Sequence, residues 1–585
     1  MYEDLLLKVN KPSQYIGQEI NSVKKDFTAA NIRFAIAFAD LYEVGMSNLG
    51  LRIIYGLLNN IPDVVCERFF SPQQDMEDAL RLENRQILSL ESRRKLNEFD
   101  LAGFSLGSEL DYTNVLNILE LGNIPLRSAE RDYRQPLVIG GGPCTLNPEP
   151  MHAFFDFFVI GEAEDAALEI IDLYRKHKEE YKAQRISKEG LLLKFAQIEG
   201  VYVPALYEVS YDDQGKIKEF KPKFSSVPAK VKKRFVKDLN SAYYPREWIL
   251  PYIQVIHDRL SLEIMRGCPN RCRFCQARQQ YFPLRLRGTE NVLALAEELY
   301  RNTGYEEISL GGLSVSDHPQ IEKILKSLMN LFDTKAVSLS LPSVKAKSLM
   351  GNASSLIAKV KKTGLTFAPE AGSQRLRDML AKDFNSEEFF KSLEQAYSAG
   401  YQHVKLYFMI GLPSEKEEDL DALIDFARRV SELRKNTGKP AAGVNVSINT
   451  LIPKPHTALQ WFAMPDLEEI RSKQDYLREK AKKYRRLNLS FHNRAMSILE
   501  GILSRGDRRL SEAIYTAFKG GAKFDAWSNY FNFEKWLTAF RDLKIDPRFY
   551  LKQKDIEDIL AWDFIDTGMA KDALIAEFDK IIAIE

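Results

Sequence analysis

Leu262-Glu-Ile-Met-Arg-Gly-Cys268-Pro-Asn-Arg-Cys272-Arg-Phe-Cys275 decides how this chain is read. A strand-length apolar run ends in glycine, and three cysteines follow at once with the spacing C-x₃-C-x₂-C. Three thiolates on one loop can turn inward around a single ligand. Structural zinc takes four closed ligands, commonly from paired cysteines, and no second cysteine pair exists in the chain. An iron–sulfur cluster is the other soft-ligand option. Three cysteines on a 4Fe–4S cluster leave one iron open to an outside ligand. A zinc ion completed by a distant histidine is the alternative.

Downstream, Ile308-Ser-Leu310, Val337-Ser-Leu-Ser-Leu341, Leu365-Thr-Phe-Ala368, Val404 to Ile410 and Val444 to Ile448 read as further strands. Amphipathic stretches such as Asp419 to Arg434 alternate with them. Six βα units over about 200 residues are too few for a closed eight-fold barrel, so a partial (β/α)6 barrel is expected. Upstream, Arg33 to Ala39, Asp63 to Cys66, Asp100 to Ser105, Pro136 to Ile139 and Phe157 to Ile160 form a separate series. Helical stretches (Leu49 to Asn59, Asp111 to Leu121) lie between them, which predicts a Rossmann-like parallel sheet. Glycines cluster at its strand ends: Gly45, Gly103, Gly107, Gly140-Gly141-Gly142 and Gly161. Ligands of open α/β sheets sit at such carboxyl ends. The expected organisation is a helical leader over 1–30, the Rossmann-like domain over 31–204 and a connector over 205–254. The partial barrel follows over 255–465, and a mainly helical C-terminal region over 466–585.

The chain has 585 residues, with 82 Lys plus Arg against 81 Asp plus Glu. A net charge of +1 excludes a general polyanion binder while allowing local basic patches. Hydrophobic residues at 45% and aromatics at 11% are globular values. No apolar run approaches the roughly 18 residues of a membrane span, and the N-terminus lacks a secretory pattern. Five cysteines, three of them in eight residues, do not form a secreted disulfide framework. A cytoplasmic protein is expected.

The cysteine spacing, with Phe274 before the last cysteine, resembles the radical S-adenosylmethionine superfamily. The resemblance continues to about residue 465 and implies a site residue by residue. Cys268, Cys272 and Cys275 would hold the 4Fe–4S cluster. Gly311 and Gly312 would bind the methionine amino group, although the family's frequent following Glu is Leu313 here. Ser338 and Ser340 lie on the strand that touches the ribose, and Glu370 in Phe367-Ala-Pro-Glu-Ala-Gly372 would hold ribose or amino group. Gly411, in Met409-Ile-Gly-Leu-Pro-Ser-Glu415, would lie near the adenine. Each also has a plainer reading, as turn glycine, strand packing or helix-terminal carboxylate. The implied chemistry is one-electron cleavage of S-adenosylmethionine to methionine and a 5′-deoxyadenosyl radical, with a flavodoxin- or ferredoxin-type reductant.

The N-terminal sheet resembles the cobalamin-binding domain of cobalamin-dependent members. Ser105 in Gly-Phe-Ser-Leu-Gly matches their serine after a strand, and Gly140, Gly141 and Gly142 match their glycine pair. The Asp-x-His-x-x-Gly motif of many cobalamin proteins is absent, since all seven histidines miss it. A sheet without cofactor is the alternative. Beyond the cluster, Cys66 and Cys144 are fewer than the three extra cysteines of methylthiotransferases.

The resemblance implies a radical enzyme with cluster, S-adenosylmethionine and cobalamin that methylates an unactivated carbon or phosphorus. A cobalamin-independent rearrangement, cyclisation or reduction is the runner-up. A non-catalytic iron–sulfur partner of RNA or the ribosome is the rival class. His456, in Pro453-Lys-Pro-His-Thr457, is the candidate acid–base residue near the barrel mouth. Arg505, Arg508, Arg509 and the basic stretch Lys480 to Arg486 could meet RNA phosphates or form a solvated face.

Overall fold

The computed structural model describes residues 3–335, 337–340 and 365–584. The chain divides into two units. The first comprises Met1–Asp258, Ile502–Tyr550 and Glu557–Gly568, and the second Arg259–Gly501, Leu551–Ile556 and Met569–Glu585.

The first unit is built on a sheet of β1 (Ile32–Phe38), β2 (Val64–Phe70), β3 (Leu101–Ser105), β4 (Leu137–Gly141), β5 (Phe157–Val159) and β6 (Val201–Tyr202). Its order is β2-β1-β3-β4-β5-β6. The first five strands run parallel and β6 closes the edge antiparallel, Phe158 facing Tyr202. Helices cover both faces of a doubly wound sheet, so its strands are apolar throughout rather than alternating. All seven residues of β2 and six of seven in β1 are accordingly buried. Helix Leu49–Asn59 starts where the Asn48 side chain accepts from the Leu51 N–H, then packs its apolar face on the sheet. From β1 the chain winds outward to β2 and then crosses to β3 on the other side. This flavodoxin-like order makes the carboxyl ends of β1 and β3 the topological switch point, where ligands of such sheets bind.

Among the described residues of the expected helical leader, Glu3–Leu6 and Ser13–Ile16 are helical. The rest follows the sheet as irregular chain. It is held by the buried Glu19 carboxylate, 2.7 Å from the Arg68 guanidinium, which also pairs with Glu91. A hairpin of β7 (Tyr207–Tyr211) and β8 (Ile217–Pro222) follows the sheet.

In the second unit all six expected strands form: β9 (Leu260–Glu263), β10 (Glu307–Gly311), β11 (Ser338–Ser340), β12 (Leu365–Glu370), β13 (His403–Ile410) and β14 (Gly443–Thr450). Leu341 lies outside the described residues. A seventh, β15 (Leu487–Phe491), pairs with β14 from Val444–Leu487 to Ile448–Phe491, inside the region expected to be helical. Every pairing among β9 to β11 and β12 to β15 is parallel, and helices follow the strands, giving the partial barrel. Its helix-side core is aromatic: Phe389 packs on Phe367 and Phe426 with centroids 5.0 and 5.3 Å apart. The C-terminal region is split between units rather than forming its own domain. Helix Lys571–Ile582 buries Ile581 completely against Leu376, Met379 and Leu380 of the second unit.

Candidate cofactor-binding sites

In the second unit, the cysteine loop leaves β9 through Met265-Arg266, which pairs antiparallel with Arg285-Leu286 and closes the loop at its base. Gly267 makes the turn at φ +89°. A Cβ there would lie 2.7 Å from the Tyr281 carbonyl oxygen and 2.8 Å from both Leu284 Cα and the Pro283 carbonyl oxygen, so glycine is obligatory. Sequence reading passed over this residue, although a glycine directly before the first cysteine was its signal. Cys268, Cys272 and Cys275 are each half-buried, and the Cys275 N–H donates to the Cys272 carbonyl at 3.2 Å.

The loop is held on two sides. Asn270 Nδ2 lies 3.4 Å from Cys268 Sγ, 3.2 Å from Ser314 Oγ and 3.0 Å from Asp317 Oδ2, tying the loop to the turn after β10. On the other side the Arg273 N–H donates to Leu380 O at 3.0 Å. Its guanidinium donates to Met379 O at 2.7 Å and to Glu577 Oε2 at 2.8 Å. Phe274, the expected aromatic, packs on the apolar cluster that includes Leu376, Met379 and Leu451.

Glu370 ends β12 at φ +70°, a left-handed backbone at a non-glycine residue, beside a register break in the β12–β13 ladder. Such strain persists only where surroundings enforce it, and it concentrates at functional sites. Burial raises the Glu370 carboxyl, opposed by Lys382, whose ammonium is 3.1 Å away. Lys382 also lies 6.0 Å from the Phe274 ring centroid, and its charge acts on the nearby Cys272 thiol. Burial pushes the Cys272 thiol up to about 11 against the pull of that ammonium, and pushes Cys275 up as well. Glu370 therefore does stand beside the cysteines, with a lysine that sequence reading did not single out. Thiols bind metals as thiolates, so loading the loop must release protons. Among the described residues no three His, Cys, Asp or Glu side chains already form a cage for one ion. Three thiols on one loop, with an N–H donor on Cys268 and an ammonium near Cys272, suit the larger, anionic iron–sulfur cluster.

The other expected contacts divide. Gly311 ends β10, and its carbonyl accepts from the Ile264 N–H at 3.0 Å. A Cβ on Gly312 would meet Met265 Cγ at 2.4 Å, so Gly312 has a packing role whatever else it binds. Ser338 N–H and Oγ both donate to Glu306 O, at 2.8 and 3.2 Å, which places its hydroxyl at the amino end of β11. Ser340 stands at the other end, opposite Ser309. Gly411 turns at φ +78° under the Pro465 ring, and its N–H donates to Glu415 Oε2 at 2.7 Å. His456 is only 6% exposed, and its N–H donates to Gln460 Oε1.

In the first unit, Ser105 closes β3 at the switch point, facing Phe38 of β1 and Gly141 of β4. The glycines have separable roles. A Cβ on Gly140 would strike Phe158 at 2.5 Å, and one on Gly142, at φ +104°, would lie 2.9 Å from Leu106 O. Gly107 and Gly141 meet nothing within 4 Å, so the backbone beside Ser105 is open to a ligand. Residues 524–527 border the β1 side. Trp527 Nε1 donates to Asp40 Oδ1 at 2.9 Å, and the Phe524 N–H to Asn114 Oδ1 at 2.8 Å. Asp111 keeps one buried carboxylate oxygen without a hydrogen-bond partner, whereas the buried Asp525 carboxylate interacts with Thr113 and the Trp536 indole. Burial raises Asp40 and Asp111, and pushes Asp525 up to about 6. The open backbone at Gly107 and Gly141, at the carboxyl ends of β3 and β4, leaves room for a flat cofactor to approach the main chain closely, as a corrin would.

The arginines expected to meet phosphates are spent internally. Arg508 pairs with Glu149 at 2.6 Å, Arg509 with Asp507 at 2.6 Å, and Arg505 is buried and donates to Tyr550 O. Within Lys480 to Arg486, Lys480 pairs with Asp421 and Lys482 with Glu479.

A family model described as radical SAM proteins, N-terminal, matches residues 50–204, and the radical SAM superfamily model matches residues 262–427. An uncharacterized protein of Methanocaldococcus jannaschii is 28% identical over 512 residues, covering 87% of this chain and 96% of its own. An uncharacterized methyltransferase of Pyrococcus horikoshii is 24% identical, covering 50% of this chain and 58% of its own. Among solved structures, the cobalamin-dependent S-adenosylmethionine radical enzyme OxsB with aqua-cobalamin bound is similar at 13% identity and a TM-score of 0.46. That match covers 94% of this chain and 80% of OxsB. No helix among the described residues is long and apolar enough to cross a membrane. With the cysteine loop at the head of a parallel βα series, and the superfamily match beginning on that same strand, the chain belongs to the radical SAM superfamily.

Proposed function

We propose that this chain is a cobalamin-dependent radical SAM methyltransferase acting on an unactivated carbon or phosphorus. The observation that carries the radical part is the three-cysteine loop after β9, with Lys382 and Glu370 beside it. The open backbone at Gly107 and Gly141 beside Ser105 supports the cobalamin part. When bound, the cluster with S-adenosylmethionine supplies an organic radical, and cobalamin supplies a transferable methyl group.

The chain's own residues do the rest. Cys268, Cys272 and Cys275 hold the cluster, and Asn270 and Arg273 fix their loop. Lys382 offsets negative charge near Cys272. Glu370, at its left-handed backbone, would accept from an amino group or ribose hydroxyl, and Ser340 and the Gly311-Gly312 edge, at the carboxyl ends of β11 and β10, would meet the same ligand. In the first unit Ser105 and the open glycine edge at Gly107 and Gly141 would cradle the corrin. A low-potential one-electron carrier of the flavodoxin or ferredoxin type is the required partner. The arginines of 505–509 give RNA no support as substrate, because Arg508 and Arg509 are paired with carboxylates and Arg505 is buried.

The test is anaerobic reconstitution with iron, sulfide and hydroxocobalamin, followed by desalting and quantitation of iron and cobalt. The native chain should keep about four irons and one cobalt. Cys268→Ala should lose iron and keep cobalt, whereas Gly141→Val should lose cobalt and keep iron. Cobalt lost from the native chain while iron stays would remove methyl transfer from cobalamin and leave the cobalamin-independent reactions.

A further inference from the structure

Asn270 stands between the second and first cysteines, where the spacing motif allows any residue. Its amide can donate to a cysteine sulfur of the loop, at 3.4 Å from Cys268 Sγ, while the backbone N–H groups of Ala277 and Arg278 serve Cys275. The same Nδ2 reaches Asp317 Oδ2 at 3.0 Å and Ser314 Oγ at 3.2 Å. An amide nitrogen carries two hydrogens, so three acceptors compete for them. Asp317, charged and nearest, takes one. The second is divided between Cys268 Sγ and Ser314 Oγ. Ser314 spends its own hydrogen on Asp317 Oδ2, at 2.6 Å, which leaves its lone pairs facing Asn270. Ser314 is buried and lies in the turn after β10, so the geometry is set by a rigid strand end rather than by the cysteine loop itself.

We propose that Asn270 is a positioning residue that donates to the Cys268 sulfur and raises the reduction potential of the cluster held there, with Ser314 as a built-in competitor that limits the effect. This rests on the cluster-binding reading above. Reduction adds one electron from an outside low-potential donor, no bond is made or broken, and the added charge spreads partly onto the cysteine sulfurs. A hydrogen bond to sulfur stabilises that more negative state, and such bonds are among the determinants of iron–sulfur potentials. Asp317 aims the amide, because its carboxylate fixes the rotation of the Asn270 side chain.

The competition gives two variants opposite signs. Asn270→Ala removes the donor and should make reduction harder, lowering the ratio of reduced to oxidised cluster at fixed potential about three- to tenfold. For a one-electron couple that is a fall of about 28 to 59 mV. Ser314→Ala removes the competing acceptor and returns the second hydrogen to sulfur, so its potential should rise. The experiment is a dithionite titration of the anaerobically reconstituted full chain, followed by electron paramagnetic resonance, with iron and sulfide counted in each sample. A merely structural role would loosen the loop in both variants and could not raise the potential in one of them. Equal potentials in all three chains, or a fall in Ser314→Ala, overturns the proposal. If Asn270→Ala fails to retain iron, the direction of the Ser314→Ala shift decides alone. Failure of the cluster reading itself is distinct: the native chain would then hold no iron that depends on Cys268, Cys272 and Cys275.

Discussion

Gly267→Ala is the sharpest test of how the cysteine loop is built. The residue sits at φ +89°, and an alanine there incurs roughly 1–2 kcal/mol of left-handed backbone strain. The new methyl would also lie 2.7 to 2.8 Å from three backbone atoms, of Tyr281, Pro283 and Leu284. Backbone cannot swing aside as a side chain can, so overpacking adds about 1–3 kcal/mol. The sum, roughly 2–5 kcal/mol, falls on the ladder that closes the loop, Met265–Leu286 and Arg266–Arg285. Gly304→Ala is the matched control. It too has positive φ, at +70°, yet its Cβ would meet nothing within 4 Å, so strain alone applies. A two-unit chain need not unfold in one step, so the assay is native-state hydrogen exchange of peptides spanning 265–286 and 299–306 in the apo chain. Relative to the native chain, the Gly267→Ala ladder should exchange faster by a factor that exceeds the control's about 5- to 150-fold, the equivalent of the extra 1–3 kcal/mol. Iron retention after reconstitution should fall in the same variant only. Equal exchange penalties in the two variants would refute the reasoning, because the backbone contacts at Gly267 would then cost nothing.

Burial pushes Asp525 up to about 6, above its unfolded value of 3.8, so the folded first unit binds a proton that the unfolded chain releases. That contribution is complete below pH 3.8 and is lost as pH rises through about 6. Asp525→Asn, whose amide oxygen can still accept from Thr113, should therefore remove a fall in stability of about 1.3 kcal/mol between pH 5 and pH 7, the upper part of roughly 3 kcal/mol lost over the whole window, read from urea midpoints at those two pH values. Lys382→Met strands the buried Glu370 carboxyl and should destabilise the second unit by about 1–3 kcal/mol, whereas adding Glu370→Gln should recover most of it; an additive double mutant would show the pair is not coupled. Arg273→Ala leaves the Met379 carbonyl without its guanidinium donor and frees the loop from helix Lys571–Ile582, so iron should be lost to a chelator at least several-fold faster. An unchanged rate would mean the brace does not hold the loop.

What the amino-acid sequence determined by itself was local. The cysteine spacing defines a loop within eight residues, and apolar runs mark all six expected barrel strands and the parallel sheet, because hydrophobic periodicity needs no distant partner to be read. The same signal was present for β15, Leu-Asn-Leu-Ser-Phe, with alternating side chains half-buried, but the charge run before it masked the change of period. Tertiary structure decided everything that depends on residues far apart in the chain. Asn270 meets Asp317 across 47 positions and Arg273 meets Glu577 across 304, and neither partner carries a motif. The Arg505 to Arg509 stretch reads from sequence as exposed positive charge, yet its carboxylate and carbonyl partners, Glu149, Gly215 and Tyr550, come from distant segments and take it inside. Whether a glycine serves a ligand or a neighbour is likewise settled by what surrounds it: Gly140 lies under Phe158 and Gly141 opens to space, one residue apart in an unbroken triplet. Local spacing can specify which atoms could bind, but packing and electrostatics act through space, and only the folded chain says which of those atoms are left free to do so.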